Sequence, residues 1–321
     1  MAGDGPQSGD DDVREGVSLT NLDAELFADA AATKRDLVDY LEAVADQIIP
    51  ELADRPLSVM RVLRGRAPFM QKNVPRYTPP WIRTVEVWAE ASQREVSYAL
   101  CNDRPTLVWF ANQRAVEYHP TLVLADQWDR PTYLVLDLDP PPGDGFGSAV
   151  RTAHLVRQAL AEADLVGAVK TSGAKGVHVY VPVIAGTTSE EVAAATRALA
   201  GRAERLDPEL ATTAYVRADR GGKVFLDSTR AGGATVVAAY SPRIRPGTPV
   251  SFPVAWEDLD QVAPADFTVR SAAGLIADGD PWAQRMPEPQ RLSPELIEEG
   301  RAIPIARVQA MHEGKRRASA D

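Results

Sequence analysis

The stretch that decides the fold is Tyr-Leu-Val-Leu-Asp-Leu-Asp-Pro, residues 133–140, an apolar run that carries two carboxylates. Side chains alternate across a strand, so Asp137 and Asp139 share one face, about 7 Å apart, while Leu136 and Leu138 share the other. Two neighbouring like charges are costly to bury unless a cation compensates them, and Mg²⁺ or Mn²⁺ prefers oxygen ligands. The stretch therefore indicates a core strand with a metal site, although an Asp-x-Asp pair alone is more typical of an exposed edge strand.

Two further features support the metal site. Pro140, Pro141 and Pro142 end the predicted strand, which places the acids at its carboxyl end, where α/β sheets bind ligands. Asp227 is a third acid in an apolar strand, within Lys-Val-Phe-Leu-Asp. Three carboxylates could hold two cations, about 4 Å apart, that stabilise the attacking and leaving oxygens of a phosphoryl displacement.

Composition predicts a soluble globular protein. The chain has 321 residues, of which 45% are apolar and 25% charged. We find no transmembrane span or signal peptide in the sequence and expect a cytoplasmic, nucleoid-associated protein without membrane contact. The single cysteine, Cys101, excludes an intrachain disulfide and a multi-cysteine zinc site. No feature predicts an oligomer, so we expect a monomer.

Charge is unevenly distributed along the chain. The net charge of −10 argues against a nucleic-acid partner, but residues 1–20 are strongly acidic and predict a disordered tail. Residues 55–83 contain seven basic side chains, no acid, and the aromatic residues Phe69, Tyr77 and Trp81. This pattern suits a nucleic-acid surface, and equally a solvated basic face over core aromatics.

Hydrophobic spacing predicts a mixture of helices and strands without a regular βαβ repeat, which favours α+β over a doubly wound fold. The predicted helices cover residues 23–48 with a break around Thr33, 111–119, 147–163, 189–206 and 294–311. Beside the stretches already quoted, the predicted strands cover residues 81–88, 96–100, 106–110 and 165–171.

A turn at Ser172-Gly-Ala-Lys-Gly176 offers backbone N–H groups, a hydroxyl and an ammonium, which together suit a triphosphate. It lacks the glycine spacing of a P-loop. His178 follows in the next strand, where a lone histidine is more often structural. Arg243 and Arg245 form a fork suited to phosphate oxygens, or a solvated pair.

The ordered motifs Leu-Asp-Leu-Asp-Pro, Ser-Gly-Ala-Lys-Gly-Val-His-Val and Val-Phe-Leu-Asp resemble those of the archaeo-eukaryotic primase superfamily, and within it the polymerase domain of bacterial ligase D. Phe-Met-Gln-Lys-Asn at 69–73 and Glu-Tyr-His at 117–119 extend the resemblance. It implies an α+β primase-polymerase core with mixed and antiparallel sheets flanked by helices. We expect this core at residues 21–292, after the acidic tail, and a C-terminal helix with a frayed basic tail at 293–321.

The resemblance implies a nucleotidyltransferase that uses Mn²⁺ or Mg²⁺ in a two-metal site and extends a primer on gapped or broken DNA, with NTP or dNTP substrates and a preference for ribonucleotides. Carried over by position, the catalytic and metal-binding residues are Asp137, Asp139 and Asp227. The nucleotide-binding residues are Ser172, Lys175, His178, Arg243, Arg245 and His119. The DNA-binding residues are Arg61, Arg64, Arg66, Phe69, Met70 and Lys72.

Two departures from the family pattern bear on the substrate. Met70 stands where the family has the second residue of an aromatic pair, and Val59 and Met60 lie in a stretch that is richer in lysine in ligase D relatives. Recognition of a downstream 5′-phosphate is therefore weaker or rests on the arginines at 61, 64 and 66. We expect short-gap filling in excision repair with a separate ATP-dependent DNA ligase, and as the alternative end joining with Ku and a ligase.

Three other functions compete with this hypothesis. Haloacid dehalogenase phosphohydrolases also use Asp-x-Asp, but they have glycine and then threonine or valine where Pro140 and Pro141 stand. A metal-dependent sugar transferase leaves the basic stretch at 55–83 unexplained. A non-catalytic DNA-end-binding module would retain the fold without turnover, and the three intact acids argue against it.

Overall fold

The structure, a computed structural model, describes residues 12–89, 93–143, 145–231 and 234–305. The α-helices in these ranges are α1 (Lys34–Ala43), α2 (Ala45–Leu52), α3 (Arg104–Asn112), α4 (Phe146–Ala161), α5 (Ser189–Leu206), α6 (Pro281–Arg285) and α7 (Pro294–Ala302). None of the helices in these ranges is both long and apolar enough to cross a bilayer.

The strands lie before and between these helices, in no regular alternation. They are β1 (Val13–Arg14), β2 (Val17–Ser18), β3 (Leu57–Arg61), β4 (Phe69–Gln71), β5 (Thr84–Ala89), β6 (Arg94–Ala99), β7 (Ala115–Pro120), β8 (Tyr133–Asp139), β9 (Ala168–Thr171), β10 (Val177–Pro182), β11 (Ala211–Thr212), β12 (Val224–Asp227) and β13 (Pro253–Val254). The predicted α+β class is confirmed.

Strand β8, the predicted core strand, lies inside a six-stranded sheet of order β11-β12-β8-β10-β9-β13. It pairs antiparallel with β10 on one side and β12 on the other. Leu136 and Leu138 are fully buried, and α4 and α5 pack against this sheet. The apolar face of β8 is thus core, which leaves its other face for polar groups.

A second sheet of five strands contains β4, β3, β6, β5 and β7, with β7 paired to β3. Two sequence predictions are wrong here, since residues 106–110 belong to helix α3 and residues 115–120 form strand β7. Asp103 caps α3 by accepting a hydrogen bond from the Thr106 N–H, and Pro105 suits the first turn. Short apolar runs do not distinguish helix from strand by periodicity, which explains why a strand was predicted at the helix and a helix at the strand.

The predicted helix over 23–48 begins later than expected. Thr33 and Asp36 form a capping box, so α1 starts at Lys34 and the preceding residues are irregular. The following helix α2 extends to Leu52, with Pro50 inside it.

Residues 12–20 differ from the disordered tail predicted over 1–20. They form the β1–β2 pair, with Val17 and Leu19 buried. Arg14 holds the pair to α1 through Asp39 at 2.5 Å and Glu42 at 2.6 Å. The rest of the predicted acidic tail, residues 1–11, and the predicted basic tail from residue 306 lie outside the described residues.

Lys34 provides a test of how the N-terminal segment packs. Its side chain is 2% exposed and donates to the Thr20 carbonyl and to Asn112 Oδ1. Burial, with a smaller contribution from Arg114, lowers the pKa of Lys34 from 10.5 to about 8. Between these values the unfolded chain binds more protons at this site than the folded chain, so stability rises with pH.

We expect the free energy of unfolding of the wild type to rise by about 1–2 kcal/mol relative to that of Lys34→Met as the pH goes from about 8 to about 10. Urea unfolding at the two pH values measures this difference. Lys72→Met, which removes an exposed lysine, is the control and should follow the wild type. Parallel pH profiles for the wild type and Lys34→Met would contradict the prediction.

Candidate active site

Four polar side chains form a row across neighbouring strands of the six-stranded sheet. Asp137 in β8 lies directly opposite Asp227 in β12 and directly opposite His178 in β10. His178 in turn lies opposite Lys170 in β9. Residues paired in this way present their side chains on the same face of a sheet. The register therefore brings together three residues that are far apart in sequence, and adds Lys170, which sequence reasoning missed.

Arg230 joins two of the carboxylates. Its Nη2 lies 2.7 Å from Asp137 Oδ2 and 2.9 Å from Asp227 Oδ2. Asp227 Oδ1 accepts from the backbone and the hydroxyl of Thr229, at 2.8 Å and 2.6 Å. Arg230 was also missed from the sequence; the available signal was its spacing, three residues after a carboxylate that ends a strand.

The pKa values of Asp137 and Asp139 are shifted in opposite directions. Burial alone would raise the pKa of Asp137, but His178 and Arg230 outweigh burial and lower it. Burial and the negative charges of Asp137 and Asp227 raise the pKa of Asp139 to about 6. Asp139 therefore holds its proton to a higher pH than an ordinary aspartate does.

This donor set matches the chemistry of a hard divalent cation. Three carboxylates offer oxygen ligands, and the raised pKa of Asp139 shows that their mutual repulsion is incompletely compensated. Within the ranges that the structure describes, no group of three or more metal-ligating side chains is already gathered around one point. Arg230 lies between Asp137 and Asp227 instead and supplies positive charge there.

The turn between β9 and β10 is closed by hydrogen bonds among its own residues. Ser172 Oγ accepts from the N–H of Gly176 at 3.1 Å and from that of Ala174 at 3.3 Å. Gly173 has φ +66°, and a Cβ at this position would lie 2.6 Å from Arg243 Cγ and 2.7 Å from the Ser251 nitrogen. Only glycine fits this close approach. Lys175 is exposed and donates to the Pro140 carbonyl, next to the carboxylates.

A cavity of about 660 Å³ opens beside the row. Of the predicted catalytic and nucleotide-binding residues, those that line it are His119, Asp137, Asp139, Ser172, Lys175, His178, Arg243 and Arg245. Asp227 is connected to this cavity through Arg230, which also lines it. The volume is within the range typical of small-molecule sites.

Glu117 holds two residues that line this cavity, His119 and Arg243, and was not among the predicted site residues. Its carboxylate lies 2.9 Å from His119 Nε2 and 3.2 Å from Arg243 Nε, and accepts from the Ile244 N–H at 2.8 Å. Burial alone would raise the pKa of Glu117, but His119 and Arg243 outweigh burial and lower it to about 2. Arg243 is thereby held against the turn, where it also donates to the Ser172 carbonyl.

The predicted DNA-binding residues lie away from this cavity, on the sheet that contains β3 and β4. Arg64, Arg66, Phe69, Met70 and Lys72 are exposed. Arg61 is 7% exposed, and its guanidinium donates to the Gln113 carbonyl at 2.9 Å and to Gln71 Oε1 at 2.6 Å. Internal hydrogen bonds thus occupy Arg61, and the exposed positive charges of this group belong to the other basic residues.

Known proteins show the same architecture. In the solved polymerase domain of Mycobacterium tuberculosis ligase D in complex with DNA, the fold superposes with a TM-score of 0.76 at 31% sequence identity, covering 84% of this chain and 97% of that one. The LigD protein of Bacillus subtilis, named as a bifunctional non-homologous end joining protein, is 32% identical over 82% of this chain and 43% of its own length. The LigD protein of M. tuberculosis, named as a multifunctional non-homologous end joining DNA repair protein, is 32% identical over 82% of this chain and 36% of its own length.

The chain spans less than half the length of these curated relatives. The family profile described as "LigD, primase-polymerase domain" matches residues 33–282, which include the carboxylate row, the turn and the cavity wall. On this match and these identities, the chain belongs to the LigD primase-polymerase domain family, a family of nucleotidyltransferases.

Proposed function

We propose that this protein is a DNA repair polymerase that extends a primer strand across short gaps, using ribonucleotides in preference to deoxyribonucleotides. The observation that carries the proposal is the convergence of the carboxylates Asp137 and Asp139 with the turn at 172–176 and the arginines Arg243 and Arg245 on one cavity. In this reaction the primer 3′-hydroxyl attacks the α-phosphate of a bound nucleotide and pyrophosphate leaves. The gap filling and the sugar preference come from the family resemblance.

Each group of residues has a part in this reaction. Asp137, Asp139 and Asp227 would hold two Mn²⁺ or Mg²⁺ ions, which when bound activate the hydroxyl and neutralise phosphate charge. Lys175 and the arginine pair, Arg243 and Arg245, would bind the triphosphate, since charge-assisted hydrogen bonds from such donors fit phosphate oxygens. His119 lines the same cavity.

This activity could serve either of two repair pathways. The relatives are named as non-homologous end joining proteins, which favours end joining with Ku and a ligase. Excision repair with a separate ATP-dependent DNA ligase is supported by the composition of β3, where Val59 and Met60 lie in a stretch that resembles a more lysine-rich one in ligase D relatives, and where Arg61 is turned inward. The two pathways differ in how much the polymerase depends on a downstream 5′-phosphate.

Primer extension on matched DNA substrates tests the proposal. The substrates are an open template and short gaps with and without a downstream 5′-phosphate, each with ribo- or deoxyribonucleotides and with Mn²⁺ or Mg²⁺. We expect extension that is faster on gaps and with ribonucleotides. Stimulation by Ku together with a 5′-phosphate requirement would indicate end joining, and phosphate-independent gap filling would indicate excision repair. Absence of extension on every substrate would refute the proposal.

Glu117→Gln is expected to weaken nucleotide binding more than catalysis. Glutamine keeps the acceptor for the Ile244 N–H but removes the charge that holds His119 and Arg243. We expect the nucleotide KM to rise about 10-fold with kcat changed much less, since a hydrogen bond to a charged group is worth about 1.5–3 kcal/mol. Steady-state extension kinetics give both constants.

The matched control for this variant is Glu257→Gln on the exposed surface, which should behave as the wild type. A KM for Glu117→Gln that equals that of the control would show that Glu117 does not position the nucleotide-binding arginine.

A further inference from the structure

The row of polar side chains ends in a buried lysine to which the proposed reaction gives no part. Lys170 is fully buried in β9. Its Nζ lies 2.9 Å from His178 Nδ1, 3.0 Å from the Val237 carbonyl and 2.5 Å from Ser251 Oγ. Burying an ammonium is costly unless its N–H bonds are satisfied, and an apolar residue of similar length would avoid this cost. We therefore expect Lys170 to have a role beyond packing.

The direction of each hydrogen bond follows from its neighbours. Ser251 Oγ donates its own proton to the Thr171 carbonyl at 2.8 Å, so it accepts from Lys170. The Val237 carbonyl can only accept. These two acceptors take two N–H bonds of Lys170, and in its ammonium form the third N–H has Nδ1 of His178 within reach, at 2.9 Å. That nitrogen accepts only when it carries no proton.

The tautomer of the ring is then determined. With Nδ1 accepting, the ring proton lies on Nε2, which is 3.2 Å from Asp137 Oδ1. Asp137 is also paired to Arg230 through Oδ2, as expected of an ionised carboxylate that only accepts. The opposite tautomer would point the lone pair of Nε2 at this carboxylate, which is repulsive. A donor on Nδ1 is thus what makes the contact between His178 and Asp137 attractive.

We propose that Lys170 is a positioning residue that fixes His178 as its Nε2–H tautomer, and that His178 thereby holds Oδ1 of Asp137 and fixes the orientation of this carboxylate for the proposed cation site. Outer hydrogen-bond partners of this kind orient metal ligands and are worth about 10–100-fold in metal affinity or activity. Only the part assigned to Asp137 rests on the proposed function. The tautomer itself is a property of the folded chain.

Nitrogen NMR of the full chain with ¹⁵N-labelled histidine tests the tautomer directly, without metal, nucleotide or DNA. The His178 signals are identified by their loss in His178→Gln. In the wild type we expect the Nε2–H tautomer with an unprotonated, hydrogen-bonded Nδ1. In Lys170→Met we expect a mixture of tautomers or the Nδ1–H form.

Three results would overturn the proposal: an Nδ1–H tautomer in the wild type, a doubly protonated ring in the wild type, or an unchanged Nε2–H tautomer in Lys170→Met. The wild-type spectrum decides the first two even if the variant does not fold. Lys170→Gln, whose shorter side chain keeps a polar group but ends before Nδ1, is a second variant with the same expected outcome as the first.

A double-mutant cycle tests the consequence for catalysis. Lys170→Met is expected to lower kcat and to raise the Mn²⁺ concentration for half-maximal activity, each by about 10-fold, with the nucleotide KM within about twofold. In the His178→Gln background the same substitution should change both values by less than about twofold, because an amide donor has no tautomer to fix.

Equal effects of Lys170→Met in the two backgrounds would show that Lys170 acts on folding or on another group. Lys223→Met, on the surface outside the row, is the control and should leave both values unchanged. A wild type without polymerase activity would refute the proposed function and still leave the NMR result to decide the tautomer.

Discussion

Asp139→Asn should abolish primer extension while making the metal-free protein more stable. Asparagine keeps the size of the side chain but removes one charge from the carboxylate set, so we expect the single-turnover rate of nucleotide addition to fall by about 10³-fold or more. Burial and the charges of Asp137 and Asp227 raise the pKa of Asp139 to about 6, above its ordinary 3.8. The ionised form therefore destabilises the folded state at neutral pH.

Neutral asparagine removes this penalty, so the free energy of unfolding in EDTA should rise by about 1–3 kcal/mol at pH 7. Affinity for gapped DNA should stay within about twofold, because the exposed basic residues Arg64, Arg66 and Lys72 flank β4, which belongs to the other sheet. Single-turnover extension, urea unfolding and fluorescence anisotropy measure the three quantities. Loss of activity together with a gain in stability excludes misfolding as the cause.

Asp260→Asn is the matched control, since Asp260 is exposed and contacts His154 away from the cavity. It should leave the extension rate unchanged. An Asp139→Asn protein that retains a tenth or more of the wild-type rate would show that this carboxylate is not part of the reaction centre.

Gly300→Ala is expected to destabilise the protein more than other glycine substitutions in its helices. Helix α7 packs on α5 so closely that a Cβ at Gly300 would lie 1.7 Å from the Ala194 carbonyl oxygen. The backbone of Ala194 cannot change rotamer as a side chain can, so α7 would have to move away from α5. We expect the free energy of unfolding to fall by about 3 kcal/mol, against a gain in helix propensity of about 1 kcal/mol.

Gly201→Ala is the control, in α5 of the same helix pair. Its Cβ would meet Ile303 Cδ1 at 3.4 Å, which is a tolerable contact, so the protein should be unchanged or stabilised by up to about 1 kcal/mol. Urea unfolding of both variants gives the comparison. Equal stability of the two would contradict the close contact between α5 and α7.

The sequence predicted the central strand and its acids because their signals are local. An apolar run with two acids at a spacing of two predicts the face of β8 that carries Asp137 and Asp139, whatever the rest of the fold. Helix α5 was predicted at its observed bounds, residues 189–206, because the Thr188 cap and the apolar spacing agree. Where local signals were ambiguous, the prediction was wrong: it gave a strand in place of α3 and a helix in place of β7.

Residues whose role depends on strand register were not predictable in the same way. Lys170 looks like a polar interruption of a short strand until β9 is paired with β10 and places it beside His178. Glu117 is one acid in a strand, and only the fold brings Arg243 to it from more than a hundred residues away. The first contact crosses a hairpin and the second joins distant parts of the chain, and spacing within one element encodes neither.

The measurement that tests the central claim most directly is single-nucleotide addition on a duplex with a one-nucleotide gap, with each of the four nucleotides supplied separately and pyrophosphate release recorded. We predict that the wild type adds the nucleotide complementary to the template, releases one pyrophosphate for each addition, and loses both activities in Asp137→Ala. Addition that ignores the template, or that persists in Asp137→Ala, would contradict the assignment of a templated polymerase to this row of carboxylates.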